Sequence, residues 1–165
     1  MAETIQQSVT FPVRASKLYA LYADSKLHTA ATGQKATVGK AAGGRFSAFN
    51  GMITGKLLHV KRNRILVQTW RGNHWKSSDP DSVLILRFMD SPKGGTIKLV
   101  HANIPKHDQA GVAAGWKKFY WDPWMKMLAK PAKPSKTSRP GKRKPARGKA
   151  RAAATGRKPA RRGTR

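Results

Sequence analysis

The chain has 165 residues, 34 of them Lys or Arg and 7 Asp or Glu, so its formal net charge is +27, and it has no cysteine. The lack of cysteine excludes disulfides, thiolate nucleophiles and cysteine metal ligands, and the charge favours polyanionic partners such as nucleic acid, an anionic membrane surface or an acidic protein. The sequence contains no recognisable secretory signal and no apolar run near the ~20 residues of a membrane span. We therefore expect a cytoplasmic protein, associated with the nucleoid or nucleus if its charge binds nucleic acid.

The charge pattern divides the chain after Asp122, which is the last acidic residue. Residues 1–128 contain the aromatic and aliphatic residues of one domain, and this part is itself basic. Residues 129–165 contain 15 Lys or Arg and 5 Pro, but no Ile, Val, Leu, Met, Phe, Tyr or Trp. Such a segment buries too little apolar surface to offset its ordering entropy. We predict a folded domain over residues 1–128 and a disordered basic tail over residues 129–165.

The first elements are a strand and two short helices. Partial alternation predicts a strand over residues 4–11, and helical spacing of apolar residues after Pro12 predicts a helix over residues 13–23. A second helix extends to residue 32. Asp24 or Ser25 is expected to cap its start and Gly33 to end it.

The middle of the chain predicts successive hairpins, with strands over residues 43–49, 52–60, 65–71, 82–89 and 96–102. Asn50-Gly51 is typical of a type I′ turn, whose two central residues need positive φ. A last helix is predicted over residues 108–128, with Asp108 as its N-cap and a kink or restart at Pro123. This order of elements indicates an α+β fold in which helices cover one face of a single antiparallel sheet.

The basic residues of the tail predict sequence-independent binding to DNA or RNA. Lys and Arg contact phosphates and release condensed counterions, while the tail has no aromatic residue for base stacking and no rigid element for groove readout. A solvated tail without a dedicated partner is the alternative, and adhesion to acidic lipid is a lesser one. The predicted phosphate-binding residues are Lys130, Lys133, Lys136, Arg139, Lys142, Arg143, Lys144, Arg147, Lys149, Arg151, Arg157, Lys158, Arg161, Arg162 and Arg165.

Catalytic and metal-binding patterns are absent from the sequence, so we predict no cofactor and no metal site. Asp79 and Asp81 flank a turn-forming proline and are interpreted as solvated turn residues. The histidines lack metal-ligand spacing. His101 shares parity with apolar strand residues, so it faces the covered side of the sheet either as a core-edge histidine or as the polar group of a ligand cavity.

Aromatic residues concentrate at one end of the predicted domain. They are interpreted as core packing or as the lining of a hydrophobic cavity that binds a flat apolar ligand. The candidate cavity residues are Phe46, Trp70, Leu84, Leu86, Phe88, Ile97, Leu99, His101, Trp116 and Tyr120.

Several motifs in residues 5–128 together resemble the family of activator of heat-shock protein 90 ATPase homologues. They are Gly43 to Gly51 (GGRFSAFNG), Trp70-Arg71 followed by Trp75, Gly95-Thr96, Ile104-Pro105, and Gly115-Trp116 with Phe119-Tyr120. The resemblance implies the helix-grip fold of the START-like (SRPBCC) superfamily, in which a curved antiparallel sheet wraps around a long C-terminal helix. It also implies a hydrophobic cavity between the sheet and the helix. The basic tail and the lack of a separate N-terminal chaperone-docking domain depart from the family's eukaryotic members.

These observations favour a non-enzymatic START-like binding module that its tail tethers to nucleic acid. The resemblance alone gives a second function, stimulation of a heat-shock chaperone ATPase. Distant START-like relatives give a third, an enzyme of the cyclase or hydratase type, which would need a polar constellation around His101.

Overall fold

The sheet has seven antiparallel strands in a computed structural model that describes residues 2–129 of the chain. In spatial order the strands run β1-β7-β6-β5-β4-β3-β2. The strands in chain order are β1 (Ala2–Phe11), β2 (Thr37–Val38), β3 (Arg45–Ala48), β4 (Ile53–Lys61), β5 (Ile65–Gly72), β6 (Ser82–Ser91) and β7 (Gly94–Pro105). Within residues 2–129, no helix is both long and apolar enough to cross a membrane.

The first strand pairs with the last, β7, rather than with a neighbour in sequence. The register places Ile5 opposite His101 and Phe11 opposite Gly95. Strands β2 to β7 follow one another as hairpins, so β1 is added to the edge that β7 would otherwise expose. The curved sheet packs around a long C-terminal helix, which confirms the predicted α+β helix-grip fold.

Two short helices, α1 (Ala15–Ala23) and α2 (Ser25–Thr32), follow β1 as predicted. The Asp24 side chain accepts from the N–H groups of Lys26 and Leu27, which caps the start of α2. Gly33 ends α2 with a φ of 74°, a left-handed conformation in which glycine carries no steric penalty. Both cap predictions are confirmed.

The C-terminal helix changes its hydrogen-bond pattern along its length. It consists of α3 (Gln109–Gly115), a π-helical turn (Trp116–Trp121) and α4 (Asp122–Ala129). The N–H of Trp116 bonds four residues back, to Val112, but the N–H of Asp122 bonds five residues back, to Lys117. The π turn ends at Trp121, and Pro123, which lacks an N–H, is the second residue of α4, so the predicted interruption takes the form of a wider turn followed by a new α-helical segment.

The core lies between the sheet and the helices, and strict alternation along β6 and β7 supplies much of it. Leu84, Leu86 and Phe88 of β6 are buried, and so are Ile97 and Leu99 of β7. The helix contributes Trp116, Tyr120, Trp121 and Trp124 from the opposite side. One inner face of the sheet therefore meets a strongly aromatic helix face.

Candidate functional site

A pocket of about 250 Å³ opens between the first half of the C-terminal helix and the adjoining ends of β4 and β5. Five of its lining side chains are aromatic, and two helix glycines, Gly111 and Gly115, lie along its helical side. Met52 and Phe119 stand at its rim and remain 55% and 44% exposed. The pocket is therefore apolar, and its rim keeps large hydrophobic side chains in water. The aromatic wall consists of Phe49, Trp70, Trp116, Phe119 and Tyr120.

The π-helical turn places three of these rings. Trp116 and Tyr120 are tilted against each other with ring centroids 4.6 Å apart. Phe49 meets Tyr120 edge-on at 5.5 Å and Phe119 at 5.6 Å. A π turn contains more residues than an α turn, because its hydrogen bonds join residues five apart, and it often occurs at functional sites. The wider turn here aims Phe119 at the rim while Trp116 and Tyr120 remain buried.

The β3–β4 turn brings Phe49 to the pocket. Asn50 and Gly51 have φ values of 57° and 90°, and the N–H of Met52 bonds to the carbonyl of Phe49, so the predicted type I′ turn is confirmed. Phe49 itself also has a positive φ, 52°, which is uncommon for a bulky residue. The Asn50 side chain fixes this conformation, because it donates to Gln34 and accepts from the N–H of Lys35.

His101 supports the wall from behind. The Ser82 hydroxyl donates to the carbonyl of Trp70, so His101 Nε2–H donates to Ser82 Oγ at 2.7 Å. His101 Nδ1 then accepts from Trp116 Nε1 at 3.1 Å. The ring is thus neutral and fully paired, and burial lowers the pKa of His101 to about 4. It holds Trp116 in place and does not line the pocket.

His28 and Tyr120 form a second buried polar contact. His28 Nδ1–H donates to the carbonyl of Tyr22 at 2.9 Å, and its Nε2 accepts from the Tyr120 hydroxyl at 3.3 Å. Burial lowers the pKa of His28, although its bond to the Tyr22 carbonyl partly opposes that shift. Burial also raises the pKa of Tyr120 far above its usual value. Both side chains are therefore uncharged near neutral pH.

One carboxylate, that of Asp108, lines the pocket. It occupies the N-cap position of α3 but makes no capping bond, so that prediction is wrong. Its Oδ2 instead accepts from Trp75 Nε1 at 2.7 Å and from His74 Nε2 at 2.9 Å. These side-chain donors fold back from the end of β5, where a Cβ on Gly72 would meet the His74 ring at 2.8 Å. The glycine therefore allows the loop to place both donors on the carboxylate.

A reciprocal pair joins the same two loops. His107 Nε2 lies 3.0 Å from Asp79 Oδ2, so each loop supplies one histidine and one aspartate. The hydrogen bond from His107 is the largest of several contacts that lower the pKa of Asp79. Asp81 pairs with Arg71 at 3.0 Å. Asp79 lies in a turn, as predicted, because its N–H bonds to the carbonyl of Lys76, but its side chain is less solvated than expected, at 16% exposure.

Comparison with known proteins decides the family. Residues 12–128 match the family model described as Activator of Hsp90 ATPase homolog 1-like protein. The chain belongs to this family.

Two curated relatives are similar to this chain. An uncharacterised protein of Schizosaccharomyces pombe is 25% identical to it over 119 residues, and this match covers 72% of this chain and 35% of that protein. The human activator of 90 kDa heat shock protein ATPase homolog 1 is 23% identical to this chain over 113 residues, and this match covers 68% of this chain and 33% of the human protein. The family member spans about a third of the length of these relatives.

Solved structures of similar proteins agree with the fold. An HSP90 activator from Plasmodium falciparum superposes with a TM-score of 0.66 at 26% identity, covering 79% of this chain and 98% of that one. The Aha1 dimer from Colwellia psychrerythraea gives a TM-score of 0.65 at 14% identity, covering 76% and 96%. At 14% identity the second likeness concerns the fold alone.

The ten predicted cavity residues separate into two groups in this member of the activator family. Trp70, Trp116 and Tyr120 line the pocket. Sequence reasoning missed Phe49, Met52, His74, Asp108, Gly111 and Phe119, which also line it. Gly111 and Gly115, four residues apart in the helix, were the sequence feature that could have indicated the pocket. The predicted residues that lie in the core and do not line this pocket are Phe46, Leu84, Leu86, Phe88, Ile97, Leu99 and His101.

Some buried polar atoms of the family member have no partner. Among residues 2–129 they belong to the Tyr22 hydroxyl, the Gln68 amide and the indole nitrogens of Trp70 and Trp124. Of these side chains, Trp70 also lines the pocket. No group of three His, Asp or Glu side chains in the same part of the chain is placed to hold a metal ion. The predicted basic tail and its phosphate-binding residues, from Lys130 to Arg165, lie outside the described residues.

Proposed function

We propose that this chain is a non-enzymatic binding module that holds a small apolar ligand in the pocket beside α3. The aromatic pocket of about 250 Å³ is the observation that carries the proposal. Its volume lies just below the ~300–1,000 Å³ typical of drug-sized ligands, so a compact ligand suits it. Rim residues Met52 and Phe119 add apolar surface that a bound molecule would cover.

Two buried polar side chains at the pocket, those of His101 behind its wall and Tyr120 in it, favour binding over catalysis. His101 is neutral and already bonded to Ser82 and Trp116, and Tyr120 has a strongly raised pKa. A general acid or base works best with a pKa near the operating pH and a free path to substrate. Neither side chain meets both conditions, so we assign them to shaping the pocket.

Filling the pocket from the helix tests this proposal. Gly115→Phe places a ring in the pocket, whereas Ala114→Phe places the same ring on the exposed neighbouring position of the helix. A neutral polarity-sensitive dye should gain fluorescence with the native chain and with Ala114→Phe, and lose that gain with Gly115→Phe. Equal dye binding by all three proteins would contradict the proposal. Native mass spectrometry of protein purified from its own host would then identify the co-purifying molecule.

We further propose that the domain ends near residue 128 and that the cationic residues beyond it tether it to DNA or RNA. The proposal is supported by 15 Lys or Arg after residue 128, with no acidic residue among them. If roughly 6–10 of these charges contact duplex phosphates, the slope of log affinity against log salt should be about −5 to −9. A chain ending at Leu128 should lose most of that slope at low salt. Undiminished binding by the shortened chain would contradict the tether.

A chaperone partner is the second candidate function. It is supported by family membership over residues 12–128 and by the 26% identity to a Plasmodium falciparum protein described as an HSP90 activator. Residues 1–128 should then raise the ATPase rate of a cognate heat-shock chaperone. An unchanged rate, with direct binding also undetectable, would remove this candidate.

A further inference from the structure

The outer face of the sheet, which points away from the helices, carries a row of cations. Lys61 of β4 lies opposite Ile65 of β5. Ile65 lies in turn opposite Arg87 of β6, which lies opposite Lys98 of β7. Directly opposed side chains project from the same face of a sheet, and all three cations are exposed, whereas Leu86 beside them is buried. With strands about 4.8 Å apart, the row spans roughly 14 Å.

A second pair of cations lies on the same face. Arg45 of β3 is opposite Lys56 of β4, and both side chains are exposed. Their neighbours along the strands, Phe46 and Leu57, are buried in the core, so the two cations point outwards. Lys56 and Lys61 are five residues apart on β4, which corresponds to roughly 15 Å. The five cations therefore border an area roughly 15 Å across.

No carboxylate within residues 2–129 neutralises these five cations. Of the acidic residues in strands, Glu3 lies opposite a buried residue of β7, and Asp90 accepts from the first N–H of α1 on the helix side. Asp81 stands just outside β6 and already pairs with Arg71. None of the ion pairs in this part of the chain involves the five cations. The outer face is therefore positive and has no counter-charge of its own.

The uncharged residues of the face favour a duplex over a single strand. Exposed Ser8 lies opposite Lys98, and exposed Gln6 follows the same face of β1, so this strand adds neutral hydrogen-bond donors. The aromatic residues of the strands are all buried in the core, so none is available for base stacking. They are Phe11, Phe46, Trp70 and Phe88. Without stacking, the partner with the denser phosphate charge is preferred, and that is a duplex.

An anionic membrane is the competing partner for a basic surface. Membrane adhesion needs apolar side chains that insert, in addition to charge. The centre of the outer face consists of Val67, Ile85 and Val100, which are short and half-buried. Leu58 and Met89 are exposed, but they lie on strands that are not adjacent and form no apolar patch. The exposed groups thus suit phosphate better than lipid chains.

Resting on the proposed tether for the class of partner, we propose that the outer face of the sheet is a second surface that contacts the phosphate backbone of a nucleic-acid duplex. The five cations contact phosphates, and the polar side chains of β1 donate to neighbouring phosphate oxygens. Binding is independent of sequence, because no element of the face enters a groove. None of the five cations lines the pocket, so ligand and duplex can be bound together.

Removing charge from the face of the full chain tests this assignment. One variant removes the row by combining Lys61→Gln, Arg87→Gln and Lys98→Gln. The matched control loses the same charge from exposed helix positions by combining Lys17→Gln, Lys26→Gln and Lys126→Gln. For a short DNA duplex, the row variant should flatten the slope of log affinity against log salt by about 2–3, and the control by less than about 1. Equal changes in the two variants would overturn the inference, because only net charge would then matter.

Amide NMR of the native full chain locates the contact. Added duplex should shift the signals of Ile85 and Val100 on the face and leave those of α1 and α2 in place. Shifts confined to the residues after 129 would overturn the inference and leave the tether standing. A row variant that loses duplex binding, while a chain ending at Leu128 keeps it, would remove the tether and support the face. If phosphatidylserine vesicles bind the native chain but the duplex does not, the face is a membrane surface and the inference fails.

Discussion

The aromatic side chains of the C-terminal helix are packed closely towards α4 and loosely towards the pocket. At the closed end, towards α4, Trp124 is fully buried, and Phe11 and Trp121 meet it at ring distances of 6.2 and 6.0 Å. At the open end, beside the pocket, Phe119 of the π-helical turn is half-exposed. Glycine at position 115 and a turn that places Phe49 against Phe119 and Tyr120 border the open end. Aromatic content alone therefore does not mark a pocket, whereas small residues facing aromatic ones do.

Truncating Trp124 at the closed end should destabilise the protein most. Trp124→Ala should reduce the free energy of unfolding by about 3–5 kcal/mol, because it leaves a cavity among fully buried rings. Met52→Ala at the rim of the open end should cost about 0.5 kcal/mol, since over half of that side chain is already in water. Urea denaturation measures both. Similar losses at the two ends would mean that the pocket rim is as tightly packed as the closed end.

Lowering the pH should destabilise the protein through His101, whose neutral ring holds Trp116 at the pocket wall. The pKa of His101 is about 4 in the folded chain and about 6.5 when unfolded, so the unfolded chain binds more protons between these values. Stability is complete above about pH 6.5 and falls towards pH 4 by up to about 3 kcal/mol. His28, whose pKa is also lowered, adds to the same trend.

Urea denaturation across this pH range measures the loss, and NMR of the histidine ring protons assigns it. The His101 signal should stay in its neutral position down to about pH 5. His59→Gln, a change at an exposed histidine, should leave the pH dependence of stability intact. A His101 ring that titrates near 6.5 in the folded protein would contradict this account.

A polar clamp holds the middle of the helix against the sheet, and it can be removed on its own. Gln7 of β1 accepts from Trp121 Nε1 at 2.6 Å and donates to the carbonyl of Ala113 at 3.2 Å. Gln7→Ala should cost about 1–2 kcal/mol, because it leaves both partners unpaired. The exposed neighbour Gln6 is the control, and Gln6→Ala should cost much less. Equal losses would show that the clamp contributes nothing specific.

One substitution at the open end should stabilise the protein slightly. Gly115→Ala should stabilise the chain by up to about 1 kcal/mol, because alanine is the better helix former and its methyl group has room. Thermal unfolding measures the change against Ala114→Gly. Destabilisation by Gly115→Ala would show that the protein itself needs the glycine there, and the open end would then be a packing requirement.

The sequence predicts most of the sheet because alternation and turn residues are local signals. Asn50-Gly51, Asp24 and Gly33 each determine a backbone conformation through their own side chain or its absence. Strand β2 was missed because two residues carry no periodicity. The capping role of Asp108 was mispredicted because Trp75 and His74, more than thirty residues earlier, compete for the same carboxylate.

The candidate site was harder to predict than the fold. Sequence parity places a side chain on the inner face of the sheet, as it does for His101 and Leu99, but it does not tell how closely the helix approaches that face. The spacing depends on the π turn, which follows from Pro123 and from the packing of Trp121 and Trp124. Such packing contacts are not encoded in the alternation of a strand, so the sequence does not predict them. Three of the ten predicted cavity residues line the pocket, and seven lie in the core.

The pairing of β1 with β7 has a consequence for synthesis on the ribosome. The ten residues of β1 are made well before the β7 residues that pair with them, because the pairs lie between 84 (Phe11 and Gly95) and 103 (Ala2 and Pro105) residues apart in the chain. Until then Ile5 and Phe11 have neither the strand nor the helix that covers them. The nascent chain therefore exposes an unpaired strand with two side chains destined for the core during most of the translation of the domain, and the final cooperative step waits for the last helix.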